Sequence, residues 1–229
     1  MTRRAEIAAG LAAVEERIAA ACDAAGRRRD EVRLIVVTKT YPASDVALLA
    51  DLGVGDVGEN RHPEAGEKAA AVAEPLRWHF LGGLQTNKAG AVARYADVVH
   101  SVDRPKLVAS LSRGALAAGR EVGCLVQVDF GDAGGRSGAA PGDVLALADM
   151  VAGAEGLRLD GLMTVAPLHA EPAPVFESLV RLSSAVRQDH PGAGAVSAGM
   201  SGDFEAAVAA GATHLRIGRS ILGERPSLR

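Results

Sequence analysis

The feature that most constrains this chain is a rhythm. Short apolar runs alternate with longer alanine-rich stretches of helical character, and the alternation is sustained from residue 34 to residue 217. The runs are Leu34–Thr38, Asp56–Gly58, Trp78–Leu81, Val98–Ser101, Cys124–Val128, Gly161–Thr164, Ala195–Ser197 and His214–Ile217, of which the second and seventh are weak signals by themselves. Helices are predicted over Ser44–Leu52, Pro63–Ala73, Arg104–Ala118, Pro141–Ala152, Pro172–Gln188 and Phe204–Ala210. Asp103 is the expected N-cap of the third, with Pro105 in its first turn. Gly53 and Gly211 stand where C-caps belong. Alternation of strand and helix without a long antiparallel run selects a parallel sheet. Eight such units in 229 residues suit a closed barrel better than an open sheet. The fold class is therefore α/β: a TIM-type (β/α)8 barrel, residues 1–229 as a single domain, with an extra N-terminal helix.

That extra helix is read from Ile7, Leu11, Val14, Ile18 and Ala21, which recur at helical intervals. Arg3-Arg4 before alanines resembles the start of an export signal. Glu6, Glu15, Glu16 and Arg17 interrupt the uncharged segment such a signal needs, so the helix is assigned to the mature protein. No apolar run is long enough to span a bilayer, and a cytoplasmic protein with no membrane partner is expected. Aromatic residues make up 3% and hydrophobic residues 48%, so the core must be filled by small branched side chains, as in helices packed on parallel strands. The net charge of -3 provides no basic surplus for nucleic acid. Cys22 and Cys124 are far apart and outside any C-x-x-C spacing, and read as buried thiols of a reducing compartment. The six histidines show no metal-ligand spacing.

In such a barrel, chemistry sits where strands end and βα loops begin. The first strand delivers Lys39. The second delivers Gly58-Glu59-Asn60, the third His79 and the segment Gly82–Lys88, and the fourth Ser101 and Asp103. The fifth leads through Asp129 into a glycine-rich stretch, Phe130–Ala140, read as a loop at the working face. The sixth gives Met163 and Thr164, the seventh Ser197–Ser201, and the eighth Arg216, Gly218, Arg219 and Ser220.

Two of these groups carry chemistry. Gly199, Ser201 and Gly218 place small residues at two adjacent helix starts, where backbone N–H groups and the helix dipole favour an anion. The loops after strands seven and eight are the usual phosphate site of such barrels. The same residues also suit two tight turns, with Ser201 or Asp203 capping a helix. Lys39 is the second. Desolvation of its ammonium at the barrel mouth favours the neutral amine, which condenses with an aldehyde to an imine; a lysine at a strand end also snorkels to solvent. Taken together, an amine at strand one and a phosphate cradle at strands seven and eight match a phosphorylated aldehyde, of which pyridoxal 5′-phosphate is the common biological case.

The chain resembles the pyridoxal-phosphate homeostasis proteins, barrels similar to the N-terminal domain of bacterial alanine racemase. The motifs that carry the resemblance are V-T-K-T-Y-P at 37–42, G-E-N at 58–60, W-H-F-L-G-G-L-Q-T-N-K at 78–88, H-S-V-D at 100–103, G-L-M at 161–163, S-A-G-M-S-G-D at 197–203 and R-I-G-R-S-I-L-G-E-R at 216–225. They run in the expected order over nearly the whole chain. The resemblance implies a cofactor held as an imine on Lys39, and phosphate contacts from Ser201, the backbone near Met200, and Gly218 with its neighbour Arg219. It implies Arg216 beside the pyridine nitrogen, and Asn60, His79, Met163 and Ser197 as further pocket residues. Four positions depart from the usual pattern: Gly83 stands for a histidine, Thr86 for a serine, Arg219 for a threonine, and Arg136 for a lysine that would offer a second amine.

A racemase needs a base on each face of the substrate imine. Lys39 serves one face. In alanine racemase the other base is a tyrosine of a second domain, which this sequence is expected to lack. Its tyrosines are Tyr41, expected beside the barrel mouth, and Tyr95, expected in a helical stretch away from the strand ends. The expectation is therefore a non-catalytic carrier or buffer of pyridoxal phosphate in vitamin B6 and amino-acid homeostasis. It is expected to be monomeric, with pyridoxal-phosphate-dependent apo-enzymes as recipients. The alternatives are a weak amino-acid racemase and a barrel that binds another phosphorylated metabolite.

Overall fold

The computed structural model describes residues 2–131, 137–167 and 169–224. In chain order the elements are α1 (Arg3–Ala24), β1 (Arg33–Val37), α2 (Ala43–Asp51), β2 (Asp56–Glu59), α3 (Glu64–Ala71), β3 (Arg77–Phe80), α4 (Ala89–Val92), β4 (Val98–Val102), α5 (Pro105–Ala117), β5 (Val122–Val128), α6 (Val144–Ala152), β6 (Leu157–Thr164), α7 (Pro172–Asp189), β7 (Ala195–Ser197), α8 (Phe204–Ala210), β8 (His214–Ile217) and α9 (Arg219–Leu222). The strands pair in parallel in sequence order and β8 closes onto β1, with Ile35 opposite Arg216 and Val36 opposite Ile217. Each predicted run is a strand. The weak second and seventh runs are real strands, β2 with β1 and β3 as neighbours, β7 with β6 and β8.

The helices cover the outside of the barrel through an apolar layer that includes Val36, Val99, Leu107, Leu111, Cys124, Val126, Phe176, Leu179, Phe204 and Leu215, with a separate cluster of Val46, Val57, Val72 and Trp78. Inside the strands the apolar material is sparse, a small cluster of Val98, Leu125 and Met163. α1 packs across α8 and α9 with Ile7, Val14, Ile18 and Cys22 buried. Its Gly10 permits that approach, because a Cβ there would lie 2.4 Å from the carbonyl oxygen of Ile221. Cys22 and Cys124 are free thiols, both buried. Among the described residues no helix is long and apolar enough to cross a membrane.

Two local expectations need correction. The N-cap of α5 is Arg104, without a side-chain cap, since the Asp103 carboxylate pairs with the Arg104 guanidinium instead. Tyr95, expected in a helical stretch, lies in a turn just after the four-residue α4, which is too short to show a period. β1 ends at Val37, one residue before the expected stop, and Lys39 lies in the turn that follows it, at the strand end where it is expected.

Candidate functional site

The C-terminal ends of the strands surround a pocket of about 350 Å³. Its lining brings together Lys39 and Tyr41 after β1, Asn60 after β2, Met163 on β6, Met200 and Ser201 after β7, and Arg216, Gly218 and Arg219 at β8. Eight of the ten residues expected from sequence thus meet in one cavity, with Leu81 and Val165 adding apolar wall. Two do not. His79 and Ser197 are buried beneath it at 2% and 0% exposure. Arg136 falls outside the described residues.

The turn that carries Lys39 is held from below. Thr40 takes a left-handed backbone (φ 71°), unusual for a branched residue. Its N–H donates to Glu64 Oε1 at 3.0 Å. Lys68 Nζ donates to the Thr38 carbonyl at 2.9 Å, to Glu59 Oε1 at 2.7 Å and to Glu64 Oε1 at 2.9 Å. The Thr38 hydroxyl also donates to Glu59 Oε1. Burial pushes the Glu59 carboxyl above its ordinary range, and the hydrogen bonds from Lys68 and Thr38 only partly offset it. For the more exposed Glu64, burial acts the same way but the bonds from Lys68 and the Thr40 N–H outweigh it, and its pKa is lowered. Lys68 and Glu64 were not singled out from sequence. The signal was present as a Glu/Lys pair four apart on α3, but nothing local said that the pair is turned inward.

On the opposite wall, Gly199 (φ 90°) turns the chain out of β7, and a Cβ there would meet Ala207 Cβ at 2.7 Å. Its neighbour Met200 has its N–H on Asp203 Oδ1 at 2.6 Å, so the carboxylate occupies a backbone donor assigned from sequence to an anion. Arg219 is exposed at the rim, while Arg216 is buried at 5% exposure. Burial lowers the Arg216 pKa to about 10, with Asp203 opposing the shift. Arg216 donates to the Thr164 carbonyl at 2.8 Å and to Ser197 Oγ at 2.6 Å. The Asn60 side is fixed by close packing: a Cβ on Gly82 would lie 2.0 Å from the Asn60 carbonyl oxygen.

The pocket therefore offers an amine, a buried cation, a rim cation, a hydroxyl and a side-chain amide around apolar walls. The sequence matches the family described as alanine racemase, N-terminal domain, over residues 10–226. It is 41% identical over 243 residues to the pyridoxal phosphate homeostasis protein of Mycobacterium tuberculosis, covering 97% of this chain and 94% of the relative. The chain belongs to the pyridoxal phosphate homeostasis protein family. The Escherichia coli member is 36% identical over 227 residues, with 96% of this chain and 97% of the relative covered. The fold matches PipY of Synechococcus elongatus, solved with pyridoxal phosphate bound, with TM-score 0.83 and 31% identity over 95% of this chain and all (100%) of that one. Among the described residues no group of acidic, histidine or cysteine side chains is arranged to hold a metal ion.

Proposed function

We propose that this protein binds pyridoxal 5′-phosphate in the mouth pocket and acts as a non-catalytic carrier or buffer of it in vitamin B6 and amino-acid homeostasis. The observation that carries the reading is the meeting of Lys39, Arg216, Ser201, Gly218 and Arg219 in one cavity with apolar walls. That donor set fits the cofactor. Lys39 supplies the amine for the aldehyde, its nitrogen bonding to the aldehyde carbon with release of one water. Ser201 and the Gly218-Arg219 step supply a hydroxyl and a cation for the phosphate, and Arg219 takes the place of the missing threonine as a direct charge partner. Arg216 supplies a cation toward the ring, and Leu81, Met163 and Val165 the apolar faces. When bound, the cofactor supplies an electrophilic aldehyde and an electron-withdrawing ring.

Two observations support a carrier over a racemase. The Tyr41 hydroxyl donates to the Gly223 carbonyl at 2.6 Å, which occupies its proton away from a substrate. Tyr95 lies outside the pocket lining, with its phenol pKa pushed upward by burial and by Glu59. The same reading makes the protein a cytoplasmic monomer that returns cofactor to apo-enzymes when water or a competing amine reverses the Lys39 linkage.

The test is spectroscopic. Protein mixed with pyridoxal phosphate is expected to show an imine band near the visible edge, and Lys39→Ala to abolish it. Borohydride is expected to trap the cofactor on the Lys39 peptide in a mass spectrum. Alanine in deuterated water is expected to keep its α-hydrogen. An unchanged Lys39→Ala spectrum overturns the attachment, exchange at the α-carbon restores the racemase, and phosphate binding without trapping points to another phosphorylated metabolite.

A further inference from the structure

His79 and Ser197, missing from the pocket wall, belong to a buried line of polar groups that crosses the barrel. Arg216 Nη1 donates to Ser197 Oγ at 2.6 Å. Ser197 Oγ lies 3.0 Å from His100 Nδ1, His100 Nε2 lies 2.8 Å from His79 Nδ1, and His79 Nε2 lies 2.8 Å from Asp56 Oδ1. Asp56 opens β2, at the end of the barrel away from the pocket, where Arg33 Nη1 donates to its other oxygen at 2.8 Å. His79, His100, Ser197 and Arg216 are each at most 5% exposed, so the line is shielded from bulk solvent.

The donor direction follows from the two ends. A guanidinium has only donors, so Ser197 Oγ accepts from Arg216. An ionised carboxylate only accepts, so the hydrogen between His79 and Asp56 sits on His79 Nε2. Burial alone would raise the Asp56 pKa, but the bonds from His79 and Arg33 outweigh it and keep the carboxylate ionised. Burial holds both imidazoles neutral, lowering His79 despite Asp56 and pushing His100 well below the ordinary histidine value. A neutral His79 that donates from Nε2 accepts at Nδ1. His100 must then donate from Nε2 and accept at Nδ1, where the Ser197 hydroxyl donates its hydrogen. Every link points from Arg216 toward Asp56.

We propose that Asp56, His79, His100 and Ser197 are positioning residues: a one-way hydrogen-bond chain that sets Arg216 in the pocket and thereby couples cofactor binding to an acceptor at the opposite end of the barrel. The proposal rests on the assignment of the pocket to pyridoxal phosphate, but its first test does not. In the ligand-free protein, long-range 1H–15N spectra at neutral pH are expected to show His79 and His100 as neutral rings protonated at Nε2, with His79→Gln and His100→Gln providing assignment. A ring protonated at Nδ1, or an imidazolium, overturns the chain.

The second test is pyridoxal phosphate affinity. Asp56→Asn keeps an oxygen acceptor for His79 and is expected to bind within twofold of the parent. Asp56→Leu removes the acceptor, and is expected to weaken binding about fivefold, the effect of one net hydrogen bond, with mixed His79 tautomers and an unchanged circular dichroism spectrum. If Asp56→Leu does not fold, Ser197→Ala breaks the link next to Arg216 and is expected to give the same loss. A folded Asp56→Leu or Ser197→Ala with parental affinity overturns the coupling. If the parent protein itself binds no pyridoxal phosphate, the proposed function fails while the tautomers still decide the chain.

Discussion

Outside the strands, Phe176, Leu179, Phe204, Leu107 and their neighbours form an apolar layer against the helices; inside, Asp56, His79, His100, Ser197 and Arg216 hold one another across the barrel with only a small apolar cluster beside them. The outer layer is held by burial, which is non-directional and tolerates exchange among side chains of similar volume. The interior is held by directional bonds in a low-dielectric space, where each group depends on its partner being present. Changes outside should therefore act on stability alone, and changes inside on stability and ligand binding together.

The largest effect that would break this contrast is in the outer layer. Phe176→Ala removes a ring that is 1% exposed, and should cost about 3–5 kcal/mol of unfolding free energy. Urea denaturation measures the cost, and pyridoxal phosphate affinity of the folded fraction should stay parental; a weakened affinity would merge the two regions.

Next is Lys68→Met, on α3 beneath the Lys39 turn, another buried polar group held by directional bonds. The Lys68 side chain is 8% exposed and its partner Glu59 1%, so the change strands a buried carboxylate and should cost about 3 kcal/mol. Because Lys68 also holds the Thr38 carbonyl, and Glu64 the Thr40 N–H, on either side of Lys39, the same variant should lose most of its imine absorbance at a cofactor level that saturates the parent. Destabilisation with a full imine band would show that the network beneath the turn does not position Lys39.

The smallest effect is in the acid limb. The Asp56 pKa is lowered, so its contribution is present above the ordinary aspartate value near pH 3.9 and is lost as pH falls through the folded pKa. The Glu59 pKa is raised, so its contribution is present below the ordinary glutamate value near pH 4.3 and is lost as pH rises through the folded pKa. Asp56→Asn should therefore flatten the fall in stability on acidification, and Glu59→Gln should remove a loss on raising the pH above about 4.3. Both effects are read from thermal melts between about pH 3 and 6. Equal slopes in the two variants would show that the two carboxyls do not differ in environment.

Much of the fold was legible because its determinants are local. The β-branched run before Thr38, the alanine-rich period of α7 and the glycines after α2 and α8 each state their own conformation within a few residues. The mouth of the barrel was legible for the same reason, since strand ends are fixed by where apolar runs stop, and Lys39, Asn60, Met163, Ser201, Arg216 and Gly218 follow those stops. The misread residues are those whose neighbours come from distant strands. His79 and Ser197 sit at strand positions that resemble pocket positions, and only their depth in the barrel turns them away from it. His100 appeared in sequence as part of a motif and Glu59 as a strand end, with nothing local to pair them with Ser197 or Lys68. Met200 lines the pocket, as the resemblance implies, but its N–H is taken by Asp203, a short reach that depends on the shape of one loop.

By itself the sequence determined the alternation of strands and helices, the parallel closed sheet that this alternation requires, and the set of side chains delivered to its open end. Period and β-branching act over a few residues, so that information is written in order along the chain. The tertiary structure alone decided which inward polar groups touch, that the line from Arg216 to Asp56 is continuous, and that Lys68 lies beneath the Lys39 turn. Those contacts join residues as far apart as His100 and Ser197, 97 positions in sequence, and they exist only at the stagger that closing the barrel imposes.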